Sequence, residues 1–299
     1  MTAHPNETIA FVGLGAMGLP MARNLTQKQM RVVGFDMRAE AMNALEAAGG
    51  RKAASAAEAT KGATVLIVMV VNADQAESVI FKSGALEALA PQATVIVMAT
   101  CAPGRVIDIA AKVVATGRSF VDAPVSGGVV GAESGTLTIM AAAPDDVFKR
   151  VEPILAALGS NLVHLGQRAG QGAAMKIVNQ LLAGVHIAAA AEGLALAEKE
   201  GIDLATALTV LSGSAASSWM LKNRGPRMVR DDGQVTSAVD IFVKDLGLVL
   251  DAGRQAKMGL PLAAIAHQQF LAASGLGFGA RDDSQVIAAY RALMAKKTD

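Results

Sequence analysis

The chain of 299 residues is long enough for two domains of ordinary size. Apolar residues make up 52% of it and charged residues 18%, which excludes a largely disordered protein. The 27 Lys and Arg residues nearly balance the 26 Asp and Glu residues, which excludes the basic footprint of a nucleic-acid-binding protein.

Short apolar runs alternate with segments of helical spacing in the first half of the chain. The runs predict strands over residues 8–12, 31–35, 64–71, 94–98, 119–122 and 136–140. The segments between them predict helices over residues 17–29, 39–48, 73–81, 104–115 and 144–157. Strands separated by helices in this way predict a parallel, doubly wound α/β sheet.

The second half of the chain shows no convincing strand after residue 167. Segments rich in Ala and Leu predict helices over residues 172–199, 204–212, 241–258 and 261–273. We therefore predict an α/β domain of residues 1–165 followed by an all-α domain of residues 166–299. The apolar stretch 178–197 approaches membrane-spanning length but includes polar side chains that are costly in lipid, which favours a buried helix of a soluble protein. These side chains belong to Asn179, Gln180, His186 and Glu192.

A glycine-rich turn follows the first predicted strand and precedes a predicted helix. It reads G-x-G-x-x-G and consists of Gly13, Leu14, Gly15, Ala16, Met17 and Gly18. In a Rossmann-like fold, the first glycine makes the tight turn, the second lets backbone approach a pyrophosphate, and the third lets helix and strand pack closely. The helix start would add N–H groups and a positive dipole end. The alternative is a strand-helix turn that binds no ligand.

An acidic residue, Asp36, ends the second predicted strand. It stands 18 residues after Gly18, where a carboxylate can accept hydrogen bonds from the adenosine ribose hydroxyls. We include its neighbour Met37 in the predicted cofactor site. Because a carboxylate would repel a 2′-phosphate, the pattern favours NAD over NADP, although Arg38 could partly offset this preference. The alternative for Asp36 is a solvated carboxylate at a strand end.

Four motifs in chain order resemble those of the β-hydroxyacid dehydrogenase family, which includes 3-hydroxyisobutyrate dehydrogenase and tartronate semialdehyde reductase. They are the opening turn with the following helix (13–25), D-A-P-V-S-G-G (122–128), G-Q-G-A-A-M-K (170–176) and F-V-K-D-L (242–246). Five further segments resemble the L-threonate dehydrogenase branch of this family: 70–73, 180–189, 218–220, 237–248 and 282–284. We predict that the second domain binds substrate and makes subunit contacts.

Lys176 is the predicted general base. A lysine within a helix among apolar neighbours is desolvated, which lowers its pKa towards the range for proton transfer, and the resemblance gives the matching lysine this role. The alternative is a lysine that extends its amine to the surface. Asn179 and Gln180 lie near the same helical face, so either amide could orient the substrate oxygen. Relatives often place Asn where this chain has Gln180, which leaves the choice open.

Further site residues come from the resemblance together with strand ends. Ser126, Gly127 and Gly128 are predicted to hold a substrate carboxylate, the alternative being an ordinary loop. Val71, Asn72 and Thr100 follow neighbouring strands at the carboxyl edge of the sheet, where cofactors bind. Lys244 resembles the family lysine that reaches the cofactor, and its alternative role is an ion pair with Asp240.

We therefore expect NAD-dependent oxidation of a small hydroxy acid, with L-threonate converted to 2-dehydro-L-erythronate as the first candidate. The rivals are 3-hydroxyisobutyrate dehydrogenase, tartronate semialdehyde reductase and, more remotely, a non-catalytic nucleotide-binding protein. No cluster has metal-ligand spacing. The apolar 178–197 segment predicts a homodimer or homotetramer. The start of the chain lacks a secretory pattern, and the only cysteine, Cys101, excludes an intrachain disulfide, which together favour the cytoplasm. The balanced charge predicts no nucleic-acid partner, and the polar side chains within 178–197 predict no membrane partner.

Overall fold

The computed structural model describes residues 7–294, and most of the segment searched for a secretory pattern lies outside this range. It contains nine strands: β1 (Thr8–Val12), β2 (Arg31–Phe35), β3 (Arg51–Lys52), β4 (Val65–Val68), β5 (Thr94–Val97), β6 (Ser119–Asp122), β7 (Val125–Ser126), β8 (Thr138–Ala142) and β9 (Asn161–Gly166). Two compact units divide the chain, one ending at Lys176 and the other beginning at Ile177.

The helices follow the alternation that the sequence predicts. In the first unit they are α1 (Gly18–Gln27), α2 (Ala39–Ala47), α3 (Ala56–Thr60), α4 (Ala73–Glu77), α5 (Ala85–Ala88), α6 (Pro103–Val114), α7 (Gly128–Ser134) and α8 (Asp145–Ala156). Helix α9 (Gln171–Lys199) starts in the first unit and continues into the second. The second unit adds α10 (Leu204–Gly213), α11 (Trp219–Val229), α12 (Val239–Gln255), α13 (Pro261–Ala273) and α14 (Ile287–Leu293).

The nine strands form one sheet in the order β3-β2-β1-β4-β5-β6-β8-β7, with β9 paired to β8. The strands from β3 to β6 are parallel, as predicted. Beyond β6 the prediction of an all-parallel sheet is wrong, because β8 runs antiparallel to both β6 and β7. The sheet is therefore mixed, and its parallel part brings the carboxyl ends of β1, β4 and β5 to one edge.

Both faces of the sheet are covered, which explains the solid apolar runs. Along β4, Val65 and Ile67 belong to one buried cluster, whereas Leu66 and Val68 belong to another. Successive side chains of a strand point to opposite faces, so two clusters mean two covered faces. Burial on both sides fixes where each strand ends and thus where the residues of the carboxyl edge lie.

The second unit is helical, with no strand among its described residues and a single isolated bridge between Ala238 and Asp282. A third cluster forms its core, in which the rings of Phe242 and Phe270 stack with centroids 5.1 Å apart. The predicted fold class, a Rossmann-like α/β sheet followed by an all-α region, is confirmed.

One helix among residues 7–294, α9, is long and apolar enough to cross a membrane by length and composition alone. Half of its most apolar window is buried inside the structure.

Several short elements were not predicted from the sequence. Strand β9 has no buried residue, and Asn161 and His164 interrupt its apolar side chains, so it lacks the continuous apolar run that marks the buried strands. Helix α11 contains Gly225 and Pro226, two residues that normally argue against a helix interior. Packing against neighbouring elements, rather than local preference, decides these segments.

Candidate active site

The glycine-rich turn connects β1 to α1, and two of its glycines are required by packing. A Cβ on Gly13 would lie 2.2 Å from the Met69 carbonyl oxygen, and the φ angle of Gly13 is +95°. A Cβ on Gly18 would lie 1.9 Å from the Gly13 oxygen. No other residue fits at either position, which agrees with the predicted roles of a tight turn and close helix-strand packing.

Gly15 has no such internal reason to be glycine. The nearest atom to a Cβ built there is Nη2 of Arg38, at 3.9 Å, so the position opens onto free space. An open glycine between two packed ones leaves room for a ligand to approach the backbone, as a pyrophosphate does in this type of turn. Ala16 is exposed and Met17 is partly buried beside it. The turn therefore fits a dinucleotide.

Leu14 plays a different role from that of its neighbours. Its side chain is buried in the core, its N–H donates to Oδ2 of Asp36 at 2.7 Å, and its carbonyl accepts from Arg38 at 3.0 Å. Both backbone groups of Leu14 are thus bonded to side chains of the segment that follows β2. Its contribution to a cofactor site is to join the turn to Asp36.

Asp36 directly follows β2 and lies against the turn. Its Oδ1 accepts from the backbone N–H of Arg38 at 2.9 Å and from Nε of Arg38 at 3.1 Å. Burial raises the pKa of Asp36, but the hydrogen bonds from Arg38 and from the Leu14 N–H outweigh burial and hold the pKa below its usual value. The group is therefore a carboxylate at neutral pH. Met37 beside it is 95% exposed.

Three more predicted cofactor residues lie beyond the carboxyl ends of β4 and β5. Val71 is exposed, and Asn72 caps α4 by accepting a hydrogen bond from the Gln75 N–H at 2.9 Å. Thr100 is partly buried after β5. Because β1 pairs with β4 and β4 with β5, these residues share one edge of the sheet with the glycine-rich turn.

The predicted carboxylate site forms the passage from β7 into α7. Ser126 ends β7, and the next two glycines have φ angles of +131° (Gly127) and +64° (Gly128). All three residues are partly exposed. Glycine alone adopts two consecutive positive φ angles at low cost, so the sequence Ser-Gly-Gly has a conformational reason here.

Asp122 is a functional candidate that the sequence analysis quoted only as part of a motif. It ends β6, is 1% exposed, and its Oδ2 accepts from the N–H groups of Gly170 and Ala173, each at 2.9 Å. Burial raises the pKa of Asp122 to about 6, although hydrogen bonds from the N–H groups of Ala173, Gly170 and Gly172 act to lower it. The carboxylate thus binds the N-terminal end of α9.

Lys176 lies in the second turn of α9 and is 7% exposed. On the same helix, Asn179 is partly buried and Gln180 is 6% exposed. The burial of Lys176 argues against the alternative in which its amine extends to the surface. Its role as a base remains a prediction.

A chain of polar contacts runs through the second unit. Nδ2 of Asn179 donates to Oε1 of Gln180 at 2.8 Å, and Nε2 of Gln180 donates to Oδ2 of Asp245 at 2.5 Å. Asp245 is 2% exposed and also pairs with Lys244. The alternative ion pair of Lys244 with Asp240 does not form, since Asp240 instead accepts from the Ser274 hydroxyl at 2.7 Å. A buried carboxylate needs a cation more than an exposed one does.

A second polar cluster ties α11 to the segment before α14. Arg224 forms a double hydrogen bond with Asp283, at 2.8 and 2.9 Å, and both side chains are buried. Burial raises the pKa of Asp283, and the Arg224 guanidinium partly offsets this. Arg227 bonds to Asp282 at 2.9 Å. Burial also acts to raise the pKa of Asp282, but hydrogen bonds, chiefly from the Thr236 N–H, lower it to about 2.

No group of three or more His, Cys, Asp and Glu side chains within residues 7–294 is arranged to hold a metal ion.

Comparison with known proteins accounts for these motifs together. Residues 8–166 match the model of the NAD binding domain of 6-phosphogluconate dehydrogenase, and residues 170–290 match that of the NAD-binding domain of NADP-dependent 3-hydroxyisobutyrate dehydrogenase. An L-threonate dehydrogenase of Cupriavidus necator is 44% identical over 94% of this chain and 95% of its own length. One of Escherichia coli K12 is 40% identical over 93% of both chains.

A solved structure of a 3-hydroxyisobutyrate dehydrogenase from Salmonella typhimurium is similar with a TM-score of 0.90. It shares 40% sequence identity, and the match covers 95% of this chain and 99% of that one. The similarity extends across both units and all four motifs. This chain therefore belongs to the β-hydroxyacid dehydrogenase family of nicotinamide-dependent oxidoreductases.

Proposed function

We propose that this chain oxidises L-threonate at C2 to 2-dehydro-L-erythronate with NAD as the acceptor. The observation that carries the proposal is the burial of Lys176, which lies one turn after the start of α9. Asp122, at the end of β6, accepts hydrogen bonds from the first turn of this helix. The relatives named L-threonate dehydrogenase support the choice of substrate, because they match nearly the full chain.

In the proposed chemistry, a side chain of this protein takes up the proton that the substrate hydroxyl loses. The Lys176 amine accepts the proton of the substrate C2 hydroxyl and becomes an ammonium, which later releases the proton to solvent. Bound NAD would accept the hydrogen and electron pair from C2, so that the C–OH becomes C=O. Oxidation of one alcohol thus yields one ketone, one proton and one reduced cofactor.

Asp36 supports NAD as the preferred dinucleotide. A carboxylate offers about four acceptor positions, and three of those on Asp36 are already used by Leu14 and Arg38. One position is left for a ribose hydroxyl, whereas a 2′-phosphate would meet the negative charge. The proposed cofactor contacts are the turn from Gly13 to Gly18, Asp36, Met37, Val71, Asn72, Thr100 and Lys244.

Asn179 is the amide proposed to contact substrate. Gln180 uses its oxygen to bind Asn179 and its nitrogen to bind Asp245, so it holds its neighbour in place. Asn179 has a second N–H that can donate to the reacting oxygen. The serine hydroxyl of Ser126 and the backbone of Gly127 and Gly128 are proposed to bind the substrate carboxylate.

A substrate panel tests the proposed function. Initial rates with L-threonate, its C2 epimer, 3-hydroxyisobutyrate and glycerate are measured with NAD and then with NADP. We expect kcat/KM to be highest for L-threonate and at least about tenfold higher with NAD than with NADP, because charge repulsion of roughly 1.4 kcal/mol gives that ratio. Turnover of 3-hydroxyisobutyrate without turnover of L-threonate would contradict the proposed substrate.

We also propose that the chain forms a homodimer or homotetramer in the cytoplasm. Helix α9 exposes Val178 (50%), Leu182 (50%) and Leu196 (61%), and Leu182 and Leu196 are spaced by two heptads. Apolar side chains at heptad spacing favour packing against another helix. The domain division at residue 165 belongs to the same proposal, with residues 166–299 making the subunit contacts.

Leu196→Glu tests the assembly at a position more than five helical turns from Lys176. We expect the wild type to sediment as a dimer or tetramer and the variant to shift to a smaller species, since a charge cannot be buried in an apolar interface at low cost. Val114→Glu is the matched control, because Val114 is a similarly exposed valine (56%) on α6. A monomeric wild type, or an unchanged Leu196→Glu assembly, contradicts the proposal.

A further inference from the structure

The start of α9 is held by a side chain from a distant part of the sequence. Oδ2 of Asp122 accepts the N–H groups of Gly170 and Ala173, which lie 48 and 51 residues later. Gly170 is the N-cap, because its carbonyl accepts the Ala174 N–H at 2.9 Å. A helix leaves its first N–H groups without partners inside the helix, so this carboxylate satisfies donors that would otherwise be buried and unbonded.

Other capped helices in the described chain use a local residue. Ser55 accepts from the Glu58 N–H, Asp203 from the Thr206 N–H and Ser218 from the Leu221 N–H, each three residues away. A local cap stabilises its helix but does not connect it to anything else. The cap from Asp122 instead joins α9 to the end of β6.

The first turn of α9 is also in close contact with the sheet. A Cβ on Gly172 would lie 2.4 Å from the main-chain oxygen of Met140 and 2.8 Å from the main-chain oxygen of Asp122. Gly172 is therefore glycine because the helix backbone approaches the backbones of β6 and β8. The cap and the close approach together fix where α9 begins.

We propose that Asp122 is a positioning residue for the reaction, which fixes the first turn of α9 against β6 and thereby places the Lys176 amine. Asp122 stands four residues before Ser126 in the chain, so the same strand end leads to the loop proposed for the substrate carboxylate. The inference rests on the proposed role of Lys176. The buried negative charge at the positive end of the helix dipole strengthens the attachment.

Asp122→Asn tests this role because the amide keeps the shape of the side chain and removes its charge. We expect kcat to fall roughly ten- to a hundredfold, since a displacement of about 1 Å in a reacting group can cost a hundredfold. The Kd for NAD, measured by titration, is expected to stay within about twofold, because the glycine-rich turn is not altered. Ser55→Ala is the control, as it removes a cap in the same unit and should leave kcat unchanged.

A double-mutant cycle separates positioning from general destabilisation. If Asp122 acts through Lys176, the double variant that combines Lys176→Ala and Asp122→Asn will have the same residual rate as the single variant Lys176→Ala. The positioning role of Asp122 is overturned if the two losses in rate multiply in the double variant. It is also overturned if Asp122→Asn keeps a kcat within twofold of the wild type while Lys176→Ala is inactive, and in both cases the proposed base remains. An active Lys176→Ala would instead overturn the proposed base.

Gly172→Ala provides a second variant that leaves the carboxylate in place. The added methyl group displaces the helix start from β6 and β8, so kcat should again fall while NAD binding is retained. Should Asp122→Asn fail to fold, this variant decides the question, and an unchanged kcat in Gly172→Ala overturns the proposal.

Discussion

Lys176→Ala is expected to lower kcat about a thousandfold, or roughly 4 kcal/mol of transition-state stabilisation, while the Kd for NAD stays within twofold of the wild type. The variant removes the group proposed to take the hydroxyl proton in the chemical step. The residues proposed to hold the dinucleotide are on the sheet edge and on another helix, so the binding step should remain. Stopped-flow rates with L-threonate and titration of NAD measure the two quantities separately.

Two matched variants distinguish proton transfer from charge. Lys176→Arg keeps a cation but cannot accept a proton near neutral pH, so it should be as slow as Lys176→Ala. Lys199→Ala removes an exposed lysine from the end of the same helix and should keep the wild-type rate. If Lys176→Ala loses less than about tenfold in kcat, Lys176 is not the base.

The sequence predicted the parts of the fold that depend on local pattern. The apolar run from Thr64 is covered on both faces and forms β4, and the G-x-G-x-x-G segment forms the turn between β1 and α1. In both cases the physical requirement, burial on two sides or close backbone approach, acts on consecutive residues. Such requirements are visible in the sequence without knowledge of the rest of the chain.

The contacts of Asp122 and Gln180 could not be predicted in this way. Asp122 bonds to N–H groups about fifty residues later, and Gln180 bonds to Asp245, 65 residues away. No periodicity relates these positions, since only the packed fold brings them together. The helical i, i+4 spacing offered Asp240 as an alternative partner of Lys244, whereas in the structure Lys244 pairs with the buried Asp245, which needs a cation more than an exposed carboxylate does.

The buried pair of Arg224 and Asp283 carries the second large expected effect. Arg224→Met should lower the free energy of unfolding by about 3–5 kcal/mol, because it leaves the Asp283 carboxylate buried without its cation. Replacing both residues, as in Arg224→Met with Asp283→Leu, removes both charges and should restore most of that loss. Urea unfolding, followed by the fluorescence of Trp219, measures the change in the free energy of unfolding. Trp219 is the only tryptophan and is the first residue of α11, the helix that contains Arg224.

The control for this experiment is the exposed ion pair between Arg281 and Asp231. Its partners are 47% and 39% exposed, so water already solvates both charges, and Arg281→Met should cost at most about 1 kcal/mol. An Arg224→Met variant as stable as this control would mean that Asp283 is neutral or solvated in the folded chain. Asp283 stands in the segment 282–284 that resembles the L-threonate dehydrogenase branch, and a large loss would give that segment a structural reason to be retained, separate from any contact with substrate.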